Sequence, residues 1–159
     1  MLEAITYTNF ACFKLCKHSF GKYLPVAGNI GIFCHYDEEY KYLTNVRKKL
    51  TDESEAILQK YFRLHTPIII PAYKDIPKTA YTHLYIRKPD PYRAQVGDVD
   101  FYLKPEAYKN LKKTILDGTH YKGARLFPRG DLDMIELIDP DIDACGYVRT
   151  NEEIVRQRT

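Results

Sequence analysis

The sequence has no tryptophan, and its four cysteines, Cys12, Cys16, Cys34 and Cys145, are too few to act as a disulfide framework for a chain of this length. Its longest apolar run, around "PIIIPA" at 67–72, falls well short of the roughly 18 residues that a membrane-crossing helix needs. Neither a Gly-rich phosphate loop nor a nucleophile elbow is present, which removes the commonest nucleotide-binding and hydrolase signatures. The formal charge is only +3, so neither a nucleic acid nor a membrane surface is an expected partner. The opening stretch "MLEAITYTNF" has neither the basic start nor the apolar core of a secretory signal, and the expected setting is reducing and cytoplasmic.

What the chain does have is tyrosine, 14 of them, a residue that joins an apolar ring to a hydroxyl and suits sheet surfaces and binding faces. With 159 residues it is long enough to bury roughly 70% of its unfolded surface as a single domain. In "THLYIRKPDPYRAQVGDVDFYL", His83, Tyr85 and Arg87, then Asp98, Asp100 and Tyr102, occupy alternate positions. Successive strand residues point to opposite faces, so these six share one face of a sheet, while Leu84, Ile86, Val99, Phe101 and Leu103 take the other. One face is apolar. The other is either the solvated side of a sheet or the wall of a site.

Two helices are legible. "DEEYKYLTNVRKKL" places Tyr40, Leu43, Val46 and Leu50 near helical spacing, with Asp37 as the expected N-cap, acids in the first turn and bases in the last. "PEAYKNLKKTIL" starts on Pro105 and stops at Gly118. Strands are expected at 29–36, in "YFRLH", "PIIIPA", "THLYIR" and "GDVDFYL", and then in "ARLF", "DMIELI" and "ACGYV". "FCHYDEEYKYL" also aligns without a gap on "FYLKPEAYKNL", so strand, helix and further strands follow one another twice.

This double cycle resembles the vicinal oxygen chelate superfamily, the glyoxalase and bleomycin-resistance group. The resemblance implies a single α+β domain of two pseudo-repeated βαβββ-like modules, at 29–90 and 97–149 after an N-terminal extension 1–28. The modules form a cupped mixed or antiparallel sheet with helices on its convex side. A ferredoxin-like or other α+β sandwich is the alternative arrangement. Metal-using members of the superfamily draw ligands from the opening and closing strands of each module; here Asn29 stands where such families often place a histidine.

Glu136 lies in an apolar strand between Ile135 and Leu137, which puts it with Met134 and Ile138 on the face that the alignment equates with His83, Tyr85 and Arg87. If the sheet closes, His83 and Glu136 are the expected metal ligands, Asp98, Asp100 and Tyr102 the catalytic groups, and Tyr85 and Arg87 the substrate-binding pair. A histidine with carboxylates suits divalent iron, manganese or zinc, and leaves coordination positions open for a compact oxygen-rich metabolite. Lyase, isomerase and dioxygenase chemistry are the classes that the resemblance implies. The competing reading is a metal-free module that binds a small molecule or a protein on the same Tyr-rich face, or uses it as a homodimer interface. On that reading Asp98 and Asp100 pair across strands with Arg87 or Arg93, and Glu136 is an edge-strand charge.

Two further patterns are set aside. Cys12, Cys16 and His18 lack the downstream second pair that a zinc site needs. "DPDIDACG" starts like a calcium loop but has Ala144 where glycine is required and Thr150 where the bidentate glutamate belongs.

Overall fold

The computed structural model describes residues 1–54, 59–127 and 133–158. The elements run α1 (Leu2–Phe20), β1 (Val26–Phe33), α2 (Asp37–Leu50), β2 (Phe62–Ile70), β3 (Thr79–Arg87), β4 (Gly97–Tyr102), α3 (Pro105–Leu116), β5 (Ala124–Leu126), β6 (Ile135–Asp139), β7 (Ile142–Arg149) and α4 (Asn151–Arg158). The strands form one mixed sheet in the order β2-β3-β1-β4-β7-β6-β5. This is the expected α+β class.

One connection occurs twice. β1 leads through α2 and ends with β3 parallel beside it; β4 leads through α3 and ends with β7 parallel beside it. The two inner strands, β1 and β4, meet antiparallel at the centre. The halves differ in that β5, β6 and β7 follow α3, whereas among the described residues only β2 and β3 follow α2. At the corresponding place in the first half a single bridge joins Thr51 to Leu64.

Helix α2 begins at Asp37 with Tyr36 as its cap, so the cap falls one residue earlier than expected. Glu39 reaches back to accept a hydrogen bond from the His35 amide at 2.8 Å, which satisfies an N–H that the helix cannot. Helix α3 has Pro105 in its first turn, and Gly118 follows it at φ 94, a conformation that glycine adopts without strain. "YFRLH" and "PIIIPA" belong to one strand rather than two: β2 runs through Pro67, with its register to β3 shifting between Arg63 and Ile68. An edge strand tolerates this because the outward side of Pro67 needs no N–H donor.

The face parity holds for the convex side. Leu84, Val99 and Phe101 are fully buried, Ile86 nearly so and Leu103 in part. What covers them includes a helix formed by the N-terminal segment that precedes the two strand-helix cycles. Helix α1 lies across the sheet centre, with the Phe13 ring edge-on to Phe101 at 5.5 Å and Cys12 Sγ donating to the Cys145 carbonyl at 3.2 Å. Helix α3 stands beside it, since Leu111 and Phe20 line one surface cleft, and Leu43 of α2 joins the same core. The four cysteines are buried free thiols. Burial raises the Cys12 and Cys16 thiols above their ordinary pKa, the latter to about 11, as expected of inert core residues.

Candidate functional site

The other face of the sheet is concave and holds a cavity of about 330 Å³. Phe33 of β1, Tyr85 and Arg87 of β3, Asp98 of β4, Glu136 of β6, and Tyr147 and Arg149 of β7 all line it. Lys60, Tyr61 and Arg93 enter from the connections. Alternation places the strand residues here: Asp98 stands opposite Gly31 on β1 and beside Cys145 on β7, while Gly31 stands beside Tyr85. Four of the seven expected site residues, Tyr85, Arg87, Asp98 and Glu136, therefore share one cavity.

The other three lie apart from its lining. Asp100 is fully buried beneath the cavity, where its Oδ1 accepts from Arg149 Nε at 2.9 Å and its Oδ2 from Asn29 Nδ2 at 3.0 Å. Asn29 in turn accepts from Arg158 Nε of α4 at 2.9 Å, so the C-terminal helix is tied to this polar floor. Tyr102 lies one step further along β4, opposite Arg149 in the register, and its amide donates to the Pro25 carbonyl. His83 bonds to the neighbouring Thr82 hydroxyl at 2.9 Å. Burial first, then the positive charges of Arg158 and Arg63, push the His83 imidazole down to about 4.

The expected metal donors are spread along the sheet. His83 is on β3 and Glu136 on β6, with β1, β4 and β7 between them, which is four strand spacings or roughly 19 Å along the sheet. Glu136 is also engaged: its Oε2 accepts from Arg125 Nε at 2.6 Å. Among the described residues no three His, Cys, Asp or Glu side chains are grouped so as to hold a metal ion. The donor set proposed from the sequence does not fit iron, manganese or zinc, because parity fixes the face of a residue but not the order of the strands.

Asp98 is the unusual group. It is 5% exposed, and its Oδ1 has no hydrogen-bond partner among the described residues. Burial, then the negative charge of Asp100, push its carboxyl up to about 7; Arg149, Arg93 and Arg87 work against that rise. A carboxylic acid that changes protonation near neutrality at the wall of a cavity is suited to donating or accepting a proton.

Arg93 is the residue that sequence reasoning considered only as a pairing partner for Asp98 or Asp100. Its guanidinium stacks on the Phe33 ring at 4.7 Å and that of Arg87 on the same ring at 5.1 Å. Arg93 Nε is buried without a partner among the described residues. Tyr61 packs on Tyr85 with ring centroids 5.5 Å apart and completes an aromatic wall. Tyr147 and Arg149 were within reach of the sequence argument, since they share strand parity with Cys145 in "ACGYVR". Lys60, Tyr61 and Arg93 lie outside the strands, where no period marks them.

No protein-family model matches the sequence, and no curated protein matches it. Among solved structures, the one described as "Structural Genomics, Protein EC4020" superposes with a TM-score of 0.63 at 16% identity, covering 99% of this chain and 90% of that one. The likeness is one of fold. A variant of Streptomyces coelicolor methylmalonyl-CoA epimerase in complex with 2-nitronate-propionyl-CoA matches at TM-score 0.33 and 15% identity, over 80% of this chain and 98% of that one. Methylmalonyl-CoA epimerase in complex with methylmalonyl-CoA and NH4+ matches at TM-score 0.33 and 14% identity, over 80% and 95%.

Proposed function

We propose that the protein is a small enzyme that takes a compact, oxygen-rich metabolite into the concave face of its sheet, with Asp98 exchanging a proton with it. The observation that carries this reading is the Asp98 carboxyl: it lines the cavity, has one buried oxygen without a partner among the described residues, and is pushed up to about 7 by burial and the charge of Asp100. Proton transfer of this kind serves isomerase or lyase chemistry. Arg87 and Tyr85 orient the substrate, and Asp100, held by Arg149 and Asn29, sets the field in which Asp98 titrates. The expected metal donors do not assemble, since three strands separate His83 from Glu136 and Glu136 is held by Arg125.

The test is direct observation of the Asp98 carboxyl. Protein labelled with 13C at aspartate carboxyls is titrated by NMR, with Asp98→Asn identifying the resonance. A midpoint between about 6 and 8 is expected from the buried setting. Titration near the ordinary aspartate value, about 4, would remove the acid–base role.

A further inference from the structure

We infer that the cavity is built for an organic oxyanion that also carries a hydroxyl, its negative end seated on the Arg87–Phe33–Arg93 stack and its hydroxyl on Asp98. This deepens the proposed function and rests on the same cavity. The argument begins with what is left unpaired. Arg93 Nε is a buried donor and Asp98 Oδ1 a buried acceptor, neither has a partner among the described residues, and both residues line the cavity. A buried polar atom is normally satisfied by protein, water or ligand. Here the two sides ask for opposite things, an acceptor for Arg93 and a donor for Asp98.

Water can satisfy either atom, but it cannot neutralise the charge beside them. The cavity is lined by Lys60, Arg87, Arg93 and Arg149 against Asp98 and Glu136. Arg149 is matched by Asp100 and Glu136 by Arg125, which leaves Lys60, Arg87 and Arg93, among the described residues, facing a carboxyl that is only partly ionised at neutral pH. Among the described residues the guanidinium of Arg93 has one hydrogen-bond contact, a weak one, Nη2 to Cys145 Sγ at 3.7 Å. Two guanidiniums, 5.1 and 4.7 Å from the centre of one aromatic ring, bring two planar donor groups to the same part of the cavity, and such donors suit a carboxylate or a phosphate. A hydroxyl donating to Asp98 then places the atom that bears it next to the group able to take a proton.

The experiment is ligand-observed NMR with the full chain and matched probes: lactate against propionate, malate against succinate, 2-hydroxyglutarate against glutarate, and glycerol 3-phosphate as the phosphate arm. At least one hydroxylated probe is expected to bind tenfold or more tightly than its counterpart lacking the hydroxyl, and the arm that binds identifies the anion. Arg93→Gln is expected to weaken it at least tenfold, and Asp98→Leu to bring the hydroxylated and plain probes of a pair to equal affinity. Should Arg93→Gln not fold, Arg87→Gln, at the end of its strand, makes the same test. Failure of every probe to bind, equal binding of both members of each pair, or binding unchanged in both arginine variants would overturn the inference. The two readings fail separately. Asp98 titrating near 7 with no oxyanion bound removes the ligand class alone, whereas Arg93-dependent oxyanion binding with Asp98 titrating near 4 removes the acid–base role alone.

Discussion

Asp98 occupies the space that a side chain on residue 31 would need. A Cβ built on Gly31 would lie 2.1 Å from Asp98 Oδ1, so glycine on the central strand is what lets the carboxyl lie across the sheet. Gly31→Ala is expected to lower stability by about 1–3 kcal/mol through overpacking. Most of that loss should vanish when Asp98→Ala is added, because the two sites are in direct contact. Urea unfolding of the two single variants and the double variant measures the coupling; additive losses would mean that the two do not meet.

Asp98 also makes stability depend on pH in a definite direction. Its folded-state pKa, about 7, lies above the unfolded value of 3.8, so between those values the folded chain holds a proton that the unfolded chain has lost. Stability falls as pH rises through that window, and the buried carboxylate costs on the order of 4 kcal/mol above it. Asp98→Asn should therefore be more stable than the wild type at pH 8 and gain little at pH 4, as read by denaturant titration at both pH values. His83 acts in the opposite sense: its pKa is depressed to about 4, so its contribution is lost as pH falls from the unfolded-state value of 6.5 toward 4.

The Asp100–Arg149 pair beneath the cavity is enclosed, with side chains 0% and 4% exposed. Arg149→Met leaves Asp100 buried with its charge unmatched and is expected to cost about 3–5 kcal/mol. Asp100→Leu combined with Arg149→Met should cost less than Arg149→Met alone, since no orphaned charge remains. Thermal unfolding of the three proteins separates these outcomes.

Because β1, β4 and β7 stand between His83 and Glu136, the metal content of protein purified without an affinity tag should respond to neither His83→Ala nor Glu136→Gln. Elemental analysis checks this. Near-stoichiometric metal lost in both variants would show that the two side chains meet.

The sequence announced the two amphipathic helices because their charges follow the helix dipole, and it announced the two faces of β3 and β4 because strand parity is strict. Helix α1 escaped notice for a physical reason. Its buried face mixes Ile5, Cys12 and Phe13 with Thr8 and Asn9, so no clean apolar stripe appears; Asn9 is buried because it accepts from the hydroxyls of Thr79 and Tyr81 on β3. In the site, parity placed Tyr85, Arg87, Asp98 and Glu136 on the concave face but could not tell that three strands would separate His83 from Glu136. It also could not show that Asp98, two residues from Asp100, would lack among the described residues the arginine partner that Asp100 has.

Helix α1 is tied to β7 by the hydrogen bond from the Cys12 thiol to the Cys145 carbonyl, 133 residues away along the chain. Both parallel closures, β1 with β3 and β4 with β7, also join segments distant in sequence. Contacts of such high order must meet the entropy of closing long loops before burial rewards them, which places this topology among the slower folders. Because α1 precedes every strand it covers, its buried face waits during synthesis first for Thr79 and Tyr81 of β3, then for Phe101 of β4 and last for Cys145 of β7.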